Sequence, residues 1–157
     1  MKKMLIAIDD STNAQKAVEY AAQQFGVARD LEIGLVHVLP NLPAIFWDEG
    51  HILSDGEKQD RKKVVDKWIA AQKAKIDPVF NKAVALLTAK GIPAGMIQTK
   101  FVSDSTDVAD SLIEEARDHH YGTIVVGRSH HSPKHVLGAV AGRVAMQGSG
   151  MVVTIVE

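Results

Sequence analysis

The stretch Met4-Leu5-Ile6-Ala7-Ile8-Asp9-Asp10-Ser11 decides how this chain reads. Its five apolar residues run without a break and stop abruptly at two aspartates. A continuous apolar run, rather than an alternating one, suits a strand covered on both faces, as in a parallel sheet. Ser11 then offers a hydroxyl to the free N–H groups of a helix start. Ala14, Ala17, Val18, Ala21, Ala22 and Phe25 recur at the helical period and predict a helix over roughly Thr12 to Ala28.

Four more apolar runs follow: Leu31 to Leu39, Met96 to Val102, Thr123 to Val126 closed by Gly127, and Met151 to Val156. Helical stretches separate them. One is expected from about Gly56 to Ile76. Asp77-Pro78 reads as the cap and first position of a second, which runs to Lys90 before Gly91-Ile92-Pro93. Another covers Ser105 to His119, capped by Asp104 or Ser105, and the last covers Lys134 to Gln147. Strands alternating with helices predict one doubly wound α/β domain over residues 1–157, with helices on both faces of a parallel sheet. Trp68, with Val64, Val65 and Ile69, is expected in the core. His37 is expected to be a buried strand histidine with its hydrogen bonds met, and His119-His120 to close a helix C-terminus.

Composition sets the outer bounds. A chain of 157 residues fits one domain and needs no staple to fold. Lys plus Arg is 18 and Asp plus Glu is 19, a net charge of −1, so there is no positive surplus for nucleic-acid phosphates. The basic residues from Lys58 to Lys67 alternate with Glu57, Asp60 and Asp66, as on a solvated helix face. Cysteine is absent, which excludes disulfides, thiolate nucleophiles and Cys-ligated zinc. The apolar run behind Met1-Lys2-Lys3 is too short for a signal peptide or a membrane span, so a cytoplasmic location away from membranes is expected.

Ligands of open parallel sheets bind beyond the carboxyl ends of the strands. Asp9-Asp10-Ser11, Val38 to Asn41, Val102 to Asp107 and Gly127 to His131 occupy such places. Three of them precede a helix N-terminus, where free N–H groups and the dipole favour an anion, phosphate above all. An acidic pair after the first strand also suits the magnesium site of a response-regulator receiver. A receiver needs a lysine after its fifth strand, and none follows here. Arg128, Lys134 and the histidines His130, His131 and His135 form a positive patch with no acidic residue between Gly127 and Met151, which suits an anion and not a metal ion.

Met4 to Ser11 followed by Ala14 and Ala17, Leu35-Val36-His37-Val38, Ile124 to Gly127, and Val136 to Val144 together resemble the universal stress protein family from end to end. The resemblance implies the strand order 3-2-1-4-5 and a stress-response protein that acts by binding. In the family's ATP-binding branch a G-x-x-G-x9-G-[ST] motif wraps the phosphates and ribose. This chain keeps Gly127, but has His130 at the second glycine, seven residues rather than nine before Gly138, and Ala139 in place of the hydroxyl. The His130 side chain either obstructs a phosphate or donates to it.

By the same resemblance, Ala7, Ile8, Val38 and Val126 line a base pocket and Asp9 lies at its adenine–ribose end. Gly127, Ser129, His130, Gly138, Ala139, Val140 and Ala141 would trace the phosphate loop. The implied ligand is ATP or AMP, with magnesium if ATP. The strand Val152 to Val156 lies at a sheet edge and lacks charge until Glu157, so pairing with a second copy to form a homodimer is expected. Two alternatives stand beside this reading. One is a nucleotide-phosphate hydrolase with Asp9 holding magnesium and His130 at the phosphates. The other is a ligand-free docking module using Phe46 and Trp47 in the loop from Pro40 to Asp55.

Overall fold

The computed structural model describes residues 1–43, 52–128 and 137–157. Phe46, Trp47, Ser129, His130, His131, Lys134 and His135 lie outside the described residues. Strand β1 spans Lys2–Ala7, helix α1 Thr12–Phe25, β2 Leu31–Val38, α2 Asp55–Ala89, β3 Ile97–Val102, α3 Val108–Asp118, β4 Thr123–Gly127, α4 Ala139–Gln147 and β5 Val152–Val156. The five strands are all parallel, in the order β3-β2-β1-β4-β5.

Side-chain alternation along the central strand builds a core on each face. Met4, Ile6 and Ile8 pack with α1 and α2, through Ala17, Ala21, Phe80 and Leu87. Leu5 points the other way, with Val36 and Val126, onto Leu112 and Ala116 of α3 and Val144 of α4. This is why the opening run is apolar at every position. Ser11 caps α1 as expected, its hydroxyl accepting from the Ala14 amide at 3.1 Å. Asp107, not Asp104 or Ser105, caps α3, its carboxylate accepting from the Asp110 amide at 3.0 Å. His119 does close α3, and its Nδ1 lies 3.2 Å from the Glu115 carbonyl.

Two expectations fail around α2. It is one helix of 35 residues with Pro78 inside it, not two helices meeting at Asp77-Pro78. Ile76, Phe80, Ala83 and Leu87 are all buried and stay in helical phase across the proline. Burial of that stripe holds the helix through a residue that lacks an N–H and crowds the preceding turn. Trp68 is only partly buried and lies outside both core clusters, because no residue of α2 before Ile76 is buried. Ser54 and Glu57 form a capping box at the start of α2, and these bonds to Ser54 hold the Glu57 carboxyl below the usual carboxylate range.

Candidate functional site

Strand order reverses between β1 and β4, and the helices on the two sides of that switch diverge to leave a crevice. A cavity of about 560 Å³ lies there, at the carboxyl ends of β1, β2 and β4. Of the positions expected at a nucleotide site, Ala7, Ile8, Asp9, Val38, Val126, Gly127, Ala139, Val140 and Ala141 all line it. Gly138 is the α4 N-cap, at a φ of 84° that favours glycine, and among the described residues no side chain caps that helix. Ser129 and His130 lie outside the described residues. A smaller cavity of about 270 Å³ between α1 and α2 shares Ile8, Asp9 and Ser11, but it opens toward Pro78 and Lys82, away from the switch point.

The β1–β2 floor is fixed by Ile8. Its amide donates to the Val36 carbonyl at 2.8 Å, and its carbonyl accepts from His37 Nδ1 at 2.6 Å. A carbonyl only accepts, so Nδ1 of His37 carries a proton. The ring also stacks on Phe101, with centroids 5.5 Å apart and planes 25° from parallel. His37 is thus a strand histidine with one nitrogen committed, partly buried at the cavity edge. Asp9 turns the chain into α1, its Oδ1 accepting the Ser11 amide at 2.8 Å.

Gly127 has a packing reason of its own. A Cβ built there would fall 2.6 Å from the carbonyl carbon of Asn13 and 2.8 Å from the amide of Ala14, inside the first turn of α1. The Asn13 side-chain amide donates to the next carbonyl, that of Arg128. On the other side, α4 is clamped to α3. Arg143 Nη1 lies 2.5 Å from Asp107 Oδ2, and Nη2 lies 2.9 Å from Asp110 Oδ1. The clamp fixes the wall made by Val108 and Leu112 of α3 against the first turn of α4.

Sequence reasoning missed the contribution of α2. Gln72, Lys75 and Ile76 line the cavity, and they do so because α2 runs on past Pro78 toward its capping box. The signal was the apolar phase that continues across the proline. Among the described residues, Lys75 and Arg128 bring two cations to a wall that also carries Asp9 and Asp10. Apolar strand ends suit a planar base, and the cations suit a phosphate. A magnesium ion finds less: among the described residues no three His, Asp or Glu side chains converge. Among them also, no helix is long and apolar enough to cross a membrane.

The model of the universal stress protein family matches residues 1–155. No protein of curated function matches the chain significantly. Solved structures of similar fold include universal stress protein UspA from Lactobacillus plantarum, 15% identical with a TM-score of 0.71, over 99% of this chain and 97% of that one. The universal stress protein of Archaeoglobus fulgidus in complex with dAMP is 18% identical, TM-score 0.59, over 100% and 98%. A universal stress protein family member from Arabidopsis thaliana with AMP bound is 16% identical, TM-score 0.62, over 99% and 91%.

Proposed function

Because the chain belongs to the universal stress protein family, we propose that it acts by binding, holding an adenine nucleotide in the crevice beyond β1, β2 and β4. The carrying observation is the convergence of Ala7, Ile8, Val38 and Val126 with the first turn of α4 on one cavity of about 560 Å³. The strand ends form an apolar slot for the base. Lys75 and Arg128 line the same space and offset phosphate charge. The A. fulgidus and A. thaliana relatives hold dAMP and AMP respectively, which supports this ligand class. AMP or ATP is the ligand, and no catalytic step is assigned.

The same reading makes the protein a cytoplasmic stress-response homodimer that pairs through β5. That strand ends the sheet, and Val152 on it is 62% exposed. Light scattering of the eluting protein tests this, with Val152→Glu expected to shift a dimer toward monomer.

The test of the nucleotide reading starts from purified protein with nothing added. The protein is denatured and filtered, and the filtrate is analysed by chromatography with mass detection. AMP or ATP near one per chain supports the reading. So does a melting rise of about 5 °C or more with AMP at a hundredfold excess over Kd. An empty filtrate together with no rise in millimolar AMP or Mg-ATP overturns it.

A further inference from the structure

We propose that Arg128 is the group that reads negative charge in the crevice, and that Glu157 competes with the ligand for it. This rests on the nucleotide reading above and sharpens it, because it selects a phosphate-bearing ligand over the uncharged nucleoside. Arg128 follows β4 directly and lines the cavity. Its backbone is pinned on both sides. The amide donates to the Val156 carbonyl at 2.8 Å, and the carbonyl accepts from the Asn13 side chain. Neither β5 nor α1 can move without moving it.

The side chains of the pair are unequal. Arg128 is 12% exposed, whereas Glu157, whose Oε1 lies 2.9 Å from Nη1, is 72% exposed. Arg128 thus stands at the cavity on a fixed backbone with its side chain 12% exposed, and its planar guanidinium fork matches phosphate oxygens. Glu157 neutralises it while the crevice holds no anion. An ion pair with so exposed a carboxylate is weak, and Glu157 returns to water at little cost when a dianion arrives. A phosphate in that place leaves no charge buried alone, which is the expensive outcome.

Among the described residues, the other charges at the cavity agree with this placement. Asp9 and Asp10 would repel a phosphate set beside them, and Asp9 already accepts the Ser11 amide. Lys75 adds attraction but reaches in from the exposed half of α2. Among the described residues at the cavity, Arg128 is the cation whose backbone the sheet itself holds.

Calorimetric titration of the protein with AMP and with adenosine tests the proposal. Glu157→Gln removes this competing carboxylate and is expected to tighten AMP about three-fold, with adenosine unchanged. Arg128→Gln is expected to weaken AMP about ten-fold or more and to erase the preference for AMP over adenosine. In the double variant the gain from Glu157→Gln disappears. Should Arg128→Gln fail to fold, Arg128→Lys keeps a charge without the fork and is expected to fall between wild type and loss. The proposal is overturned if Glu157→Gln leaves AMP unchanged or shifts both ligands equally, or if discrimination survives removal of the guanidinium. AMP binding that ignores both residues sinks this inference alone. Failure of every variant and the wild type to bind either ligand sinks the nucleotide reading, and this inference with it.

Discussion

The backbone of Asn13 lies so close to Gly127 that a Cβ on the glycine would sit 2.6 Å from the Asn13 carbonyl carbon and 2.7 Å from its oxygen. Both atoms belong to backbone inside the first turn of α1, so no side-chain rotation relieves the contact. The glycine that matches the first position of the family's phosphate motif is therefore required by packing, whatever binds. Gly127→Ala is expected to destabilise the ligand-free protein by about 1–3 kcal/mol, the range for overpacking a tight contact. Urea unfolding without nucleotide checks this. A midpoint equal to wild type would mean that α1 yields to a methyl group at Gly127 without cost.

Pro78 separates two accounts of α2. At the first position of a new helix, proline is favourable and its removal gains nothing. Inside a helix it costs about 3 kcal/mol against alanine, offset by up to about 1 kcal/mol of lost freedom in the unfolded chain. Pro78→Ala is accordingly expected to raise stability by about 1–2 kcal/mol. Guanidinium unfolding followed by circular dichroism measures it, and a neutral or destabilising result would restore a break at Asp77.

The same residues show what was legible in the sequence. Strands β1 and β4 announce themselves because burial on both faces leaves continuous apolar runs, β5 is apolar although it lies at the exposed sheet edge, and Ser11 marks the first helix by its hydroxyl. The apolar floor of the crevice follows directly, since strand ends at a switch point are fixed by topology. The wall from α2 was hidden because Asp77-Pro78 is a strong local signal, and only the long-range burial of Ile76 and Phe80 overrules it. The Arg143 clamp was hidden for a similar reason. Arg143 and Asp107 are 36 residues apart, and nothing local to either names its partner.

Arg143 spans Asp107 and Asp110, so its loss leaves two carboxylates near each other at the α3 N-terminus. The guanidinium is 41% exposed, which screens the pair. Arg143→Gln is expected to cost about 0.5–1 kcal/mol, and the gap from wild type should narrow in 1 M NaCl. Because α3 and α4 both wall the cavity, AMP affinity is expected to drop as well, by more than Arg143→Lys drops it. Equal stability of the Gln variant and wild type at low salt would show that the clamp carries no net energy.

Tyr121 gives the fold an alkaline limit. The residue is 5% exposed, and its hydroxyl occupies the place where a Cβ on Gly34 would stand, 2.2 Å away. Burial pushes the phenol pKa up, and the carboxylates of Glu32 and Glu115 push it the same way. A raised folded pKa means that the folded state favours the neutral phenol. Its contribution is fully present below the unfolded value of about 10 and is lost as pH climbs through that value toward the folded one. Stability measured by urea unfolding from pH 8 to 11 should therefore fall more steeply above pH 10 in wild type than in Tyr121→Phe. Lysine deprotonation acts on both proteins and cancels in the difference. Parallel profiles would mean that the phenol ionises in the folded state as readily as in water, and that its burial against Gly34 carries no such penalty.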